Sequence, residues 1–72
     1  MTLKEFFDKW LYREDYHIFI GNQYDTTEFE GEASELNFYL NSKTEQYEVT
    51  EFDFYLSLMK YPTLAIFVNI KK

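Results

Sequence analysis

Seventy-two residues suffice for one domain and not for two, and a chain of this size buries only about 60% of its unfolded surface, so its stability margin is thin. There is no cysteine, which excludes a disulfide framework, and with His17 as the only histidine a structural zinc site lacks ligands. The net charge of −6 is concentrated between Asp25 and Asp53, where nine acids accompany the single base Lys43; such a surface excludes direct binding to nucleic acid or anionic membrane and attracts basic proteins.

Stability must come from packing, and eight Phe, seven Tyr and one Trp supply it, since each large ring buries about 150–250 Å². No apolar run approaches the roughly 20 residues of a membrane span. The opening Met1-Thr2-Leu3-Lys4-Glu5 lacks the basic and apolar regions of a secretory signal, so the expected location is the cytoplasm of a bacterial host cell.

In chain order, Thr2 to Tyr12 reads as a helix. Thr2 and Glu5 form a T-x-x-E capping box, and Leu3, Phe6, Phe7, Trp10 and Leu11 make one apolar stripe. Tyr16–Ile20 reads as a strand with Tyr16, Ile18 and Ile20 on one face and His17 and Phe19 on the other. Gly21-Asn22 signals a turn into a second strand, Thr26–Glu30, in which Phe29 is the only strong apolar residue. Ser34 is expected to cap a short helix to Asn41, with Ala33, Leu36, Tyr39 and Leu40 on its apolar side. From Tyr47 to Leu56 the apolar positions change parity, from Tyr47 and Val49 to Phe52, Phe54 and Leu56, which predicts a bulge near Thr50-Glu51. Ser57–Thr63, containing Tyr61-Pro62, reads as a connection. Leu64–Ile70 is apolar on both faces and reads as a strand interior to the sheet, ahead of the charged end Lys71-Lys72. The resulting fold class is α+β in the order α-β-β-α-β-β, with one mostly antiparallel four-stranded sheet, two helices packed on one face and the other face partly wet.

No catalytic site is expected. His17 has no partner or cleft marked around it, Ser34 has no elbow motif, and two lone glycines make no phosphate loop. Asp25, Glu28, Glu30 and Glu32 do not match a calcium loop, so no metal or cofactor is expected. The acidic segment carries the functional content. Alternate strand residues share a face about 6.6–6.8 Å apart, so Glu28, Glu30 and Glu32 are expected to form one row of negative charge, with Glu51 and Asp53 as a second. Such rows serve either as a solvated face that discourages edge pairing or as a decoy for nucleic-acid phosphates that occupies a basic groove. Tyr24 and Tyr47 are expected beside them as desolvated contact, because interfaces favour tyrosine. Exposed rings on a wet sheet face would equally serve a homodimer contact.

The capped start Thr2-Leu3-Lys4-Glu5-Phe6-Phe7, the run Phe29-Glu30-Gly31-Glu32-Ala33-Ser34-Glu35-Leu36 and the closing Leu64-Ala65-Ile66-Phe67-Val68 resemble small orphan proteins of Gram-positive phages and mobile elements. Some small acidic proteins of that setting resemble anti-CRISPR proteins, which bind a nuclease complex and block its DNA-binding groove. The resemblance implies a non-enzymatic inhibitor of a host nucleic-acid-handling protein, with a protein partner of basic surface such as a Cas nuclease. A self-associating structural or regulatory accessory protein is the alternative.

Overall fold

A computed structural model describes residues 1–9, 16–56 and 62–70. The expected helical stripe positions Trp10 and Leu11, residues Ser57 to Tyr61 of the expected connection Ser57–Thr63 and the terminal Lys71-Lys72 lie outside the described residues, whereas Pro62 and Thr63 of that connection begin the last strand.

Helix α1 spans Leu3–Lys9. The capping box is formed as the sequence predicts: Glu5 N–H donates to Thr2 Oγ1 at 3.2 Å, and Thr2 N–H donates back to Glu5 Oε1 at 3.0 Å. The bond from the Thr2 backbone N–H, followed by that from its hydroxyl, holds the Glu5 carboxyl below its ordinary value.

Strands β1 (His17–Asn22), β2 (Thr27–Glu32), β3 (Glu48–Leu56) and β4 (Pro62–Asn69) form one sheet in the order β2-β1-β4-β3. Strands β1 and β2 pair antiparallel, as do β3 and β4, but the central β1 and β4 run parallel, so the sheet is mixed where a mostly antiparallel one was expected. The strand apolar on both faces, β4, is interior as expected. The bulge also falls where the parity changes, between Val49 and Glu51, with the Thr50 hydroxyl donating to the Phe67 carbonyl at 3.1 Å.

Three local expectations are corrected. Gly21 and Asn22 belong to β1, and the turn follows them: the Asn22 side-chain oxygen accepts from Tyr24 N–H at 2.9 Å and Thr26 N–H at 3.3 Å, with Asp25 left-handed at φ 63°. An Asx-type bond of this kind substitutes for a backbone turn, and Asp tolerates the left-handed region. The second α-helix is instead a 3₁₀ helix, Ala33–Phe38, followed by a one-turn 3₁₀ segment, Thr44–Gln46. Ala33 and Leu36 are buried and Tyr39 half-buried, a spacing of three that matches the 3.0-residue turn. Glu32, not Ser34, stands at its N-cap, and the Glu35 carboxylate accepts from Glu32 N–H at 3.4 Å.

The core lies on one side of the sheet. Ile18 and Ile20 of β1 and Leu64, Ile66 and Val68 of β4 meet Leu3 and Phe6 of α1, Ala33 and Leu36 of the 3₁₀ helix, and Tyr47. Phe6 packs edge-on against Phe52 at 5.0 Å between ring centroids. No described helix is long and apolar enough to cross a membrane.

Candidate functional site: an acid-flanked open sheet face

Directly paired strand residues point to the same side, so the register identifies the face opposite the core. It carries Glu30 and Glu32 from β2, His17, Phe19 and Gly21 from β1, Ala65 and Phe67 from β4, and Glu51 and Asp53 from β3. Among the described residues the helices pack on the other side.

The centre of this face is aromatic. Phe19 and Phe67 are half-buried, with ring centroids 6.0 Å apart and planes inclined at 62°. Gly21 lies directly beneath them: a Cβ there would stand 3.1 Å from Phe19 Cε1 and 3.3 Å from Phe67 Cδ1. Glycine inside a strand marks such a close approach, which is why Gly21 does not break β1.

The margins are acidic. Glu30 stands opposite Phe19, and Glu51 opposite Phe67; Glu32 and Asp53 extend each margin by one pleat. All four carboxylates are exposed. Three interstrand steps of about 4.8 Å place the β2 and β3 margins about 14 Å apart. His17 is the one basic side chain among the described residues of this face, half-exposed, with Nε2 3.7 Å from Glu30 Oε2.

The expected row of Glu28, Glu30 and Glu32 is broken. Ile20 pairs with Phe29 but Gly21 pairs with Thr27, so Glu28 is the extra residue of a bulge and leaves the alternation. Its carboxylate accepts from Asn22 Nδ2 at 2.8 Å and from the Tyr39 hydroxyl at 3.1 Å, both part-buried bonds. Burial pushes the Tyr39 phenol well up from its ordinary value, and the negative charge and acceptor oxygen of Glu28 push it further. Tyr47, expected beside the acids, is buried in the core at 7% exposure. Tyr24 is exposed at the β1–β2 turn. Phe19 and Phe67 were not singled out from sequence, although each faces away from the core in a strand apolar on both sides.

The outer edge of β3 is occupied at its start and at one N–H further along. At its start, Val49 N–H donates to the Met1 carbonyl at 2.7 Å and Leu3 N–H to the Tyr47 carbonyl at 2.9 Å. The Met1 ammonium meets Glu48 Oε2 at 3.0 Å. Further along, Asp53 Oδ1 takes the Phe54 backbone N–H at 2.9 Å. These contacts blunt the edge as a template for another strand. Compared with known proteins, the chain matches no family model, no curated protein and no solved structure.

Proposed function

We propose that this chain is a non-enzymatic binding protein of phage or mobile-element type that occupies the basic nucleic-acid-binding groove of a host protein, a guide-loaded Cas nuclease being the sharpest case. One observation carries the reading: carboxylates from the two opposite edge strands, Glu30 and Glu32 on β2 and Glu51 and Asp53 on β3, share one face that no described helix covers. Two acidic margins about 14 Å apart present a broad negative surface to a groove lined with Lys and Arg. Binding of this kind is fast at low salt and weakens as exposed charges are screened beyond about 8 Å at physiological ionic strength.

The test is DNA binding by a guide-loaded type II nuclease, followed by fluorescence anisotropy with increasing amounts of the protein, beside a panel of other basic DNA-binding proteins. Inhibition that fades with salt and is lost in Glu30→Lys/Glu51→Lys/Asp53→Lys is the expected result. Inhibition undiminished by that triple reversal would refute the acidic-face mechanism, and no inhibition of any member of the panel would refute the groove-blocking role.

Self-association is the second reading, favoured by Phe52 and Phe54, 52% and 43% exposed on β3. Against it stands the start of the β3 edge, where Tyr47 and Val49 are already bonded to Leu3 and Met1. Sedimentation over a wide concentration range decides: a monomer throughout eliminates self-association.

A further inference from the structure

A purely electrostatic decoy needs no apolar centre, yet the open face has one. Phe19 and Phe67 form an inclined pair of rings over a glycine that leaves them room, and each ring has a carboxylate directly opposite it on the neighbouring edge strand. Directly paired side chains start about 4.5–5.5 Å apart at Cβ, so Glu30 lies within reach of any group resting on Phe19, and Glu51 of any group on Phe67.

A ring with an adjacent carboxylate suits a cation that is flat. Guanidinium stacks on an aromatic face while its fork of N–H donors engages a carboxylate at the ring's margin; ammonium is a compact, strongly hydrated point charge that makes the second contact but gains less from the first. The surrounding charge narrows the occupant further. Four exposed carboxylates repel a second copy of the same face and repel polyanions, and they favour a cationic protein segment.

We propose that the Phe19–Phe67 centre of the open face is an arginine-docking site, at which guanidinium groups of a partner protein stack on the two rings and bond to Glu30 and Glu51. This rests on the reading of the acidic face as a surface for a basic partner and adds its selectivity: the partner presents arginine rather than lysine at the point of contact. Arginine is also the cation most enriched among residues that dominate binding energy.

The experiment uses two probes, an oligoarginine and an oligolysine peptide of equal length, titrated at low salt into the full chain and followed by anisotropy and by amide NMR shifts. Charge alone treats the two alike, whereas stacking on the half-buried rings adds about a two- to fivefold preference for arginine. The largest shifts on adding oligoarginine are expected at Gly21, Ala65 and Phe67. Phe19→Leu/Phe67→Leu keeps apolar bulk and removes both π faces; it should bring arginine binding down to the lysine level and weaken lysine binding less. Glu30→Gln/Glu51→Gln should weaken both peptides.

Equal affinity of the wild-type chain for the two peptides, an arginine preference that survives the leucine pair, or shifts centred away from this face would overturn the arginine site while leaving an acidic-face binder standing. Binding of neither peptide would overturn both readings. The wild-type comparison and its shift map need no variant, so the proposal stays testable if the leucine pair does not fold.

Discussion

Replacing Glu28 by alanine separates a carboxylate that holds the fold from those that face outward. Glu28 accepts two part-buried bonds, from Asn22 Nδ2 and the Tyr39 hydroxyl, and Asn22 is itself only 7% exposed. Bonds to a charged group contribute about 1.5–3 kcal/mol each, and a buried donor left without an acceptor costs about 1–3 kcal/mol. Water reaches part of this site, so the expected net loss for Glu28→Ala is about 2–4 kcal/mol. A chain of this length holds about 4–11 kcal/mol in all, so the loss is a large fraction of its stability. At about 4–8 °C per kcal/mol, the melting temperature should fall by about 8–32 °C. Glu28→Gln keeps one acceptor oxygen and should lose about half as much. The matched control is Glu30→Ala on the open face, expected within about 0.5 kcal/mol of wild type. Urea unfolding of the three variants, followed by circular dichroism, gives the comparison. Glu28→Ala within about 0.5 kcal/mol of wild type, or a Glu30→Ala loss as large, would refute the division of the acids into structural and outward-facing sets.

Three further outcomes are expected. Because burial and Glu28 raise the Tyr39 phenol, its contribution to stability is fully present below the ordinary tyrosine value of about 10 and is lost as pH rises through the higher folded value; urea melts against pH should fall above about 10 in the wild type and less so in Tyr39→Phe, and tyrosinate absorbance showing Tyr39 ionising at the ordinary value would contradict this. Ile66→Ala, at a fully buried position between Ile20 and Phe52, should cost about 2–5 kcal/mol in chemical denaturation, whereas Phe38→Ala, 90% exposed, should stay within about 0.5 kcal/mol. Deleting Thr50 removes the extra residue of the bulge and leaves Val49 opposite Val68 and Glu51 opposite Phe67, so the shortened strand keeps Glu51 and Asp53 on the open face; cooperative urea unfolding should be retained, and its loss would contradict the register.

Patterns that repeat along the chain were legible in the sequence. The Thr2–Glu5 box fixes the start of α1, the parity change from Val49 to Phe52 locates the β3 bulge, and apolar residues on both faces make β4 interior. Features set by a neighbour were not. Gly21 looks like a turn residue until Phe19 and Phe67 are seen to lie over it. Glu28 looks like part of an alternating row because its bulge arises from register with β1, and nothing within β2 marks it. Tyr47 was grouped with the interface tyrosines although it continues the parity of Val49; it is held in the core where α1 meets the start of β3. The 3₁₀ helix had a usable signal, since Ala33, Leu36 and Tyr39 recur every third residue, but Leu40 completes a pattern that also fits an α-helix.

The mixed sheet follows from charge and chain length taken together. Two hairpins joined through β2 and β3 would set Glu30 and Glu32 beside Glu51 and Asp53 and leave the apolar β4 at an edge; joining through β1 and β4 puts the acids on opposite margins and buries β4. The relative direction of the two hairpins then depends on residues 33–47, which connect one edge strand to the other. That connection leaves β2 at the His17 end of the sheet and enters β3 at the Asn69 end, so it must cross a length of about 20 Å. It does so on the core side, burying Ala33, Leu36, Thr44 and Tyr47 on the way. A crossover that travels the full length of the sheet makes β3 run in the same direction as β2, and hence β4 parallel to β1. The same crossover commits the 3₁₀ segments to one side of the sheet, and the aromatic pair with its flanking carboxylates is left on the other.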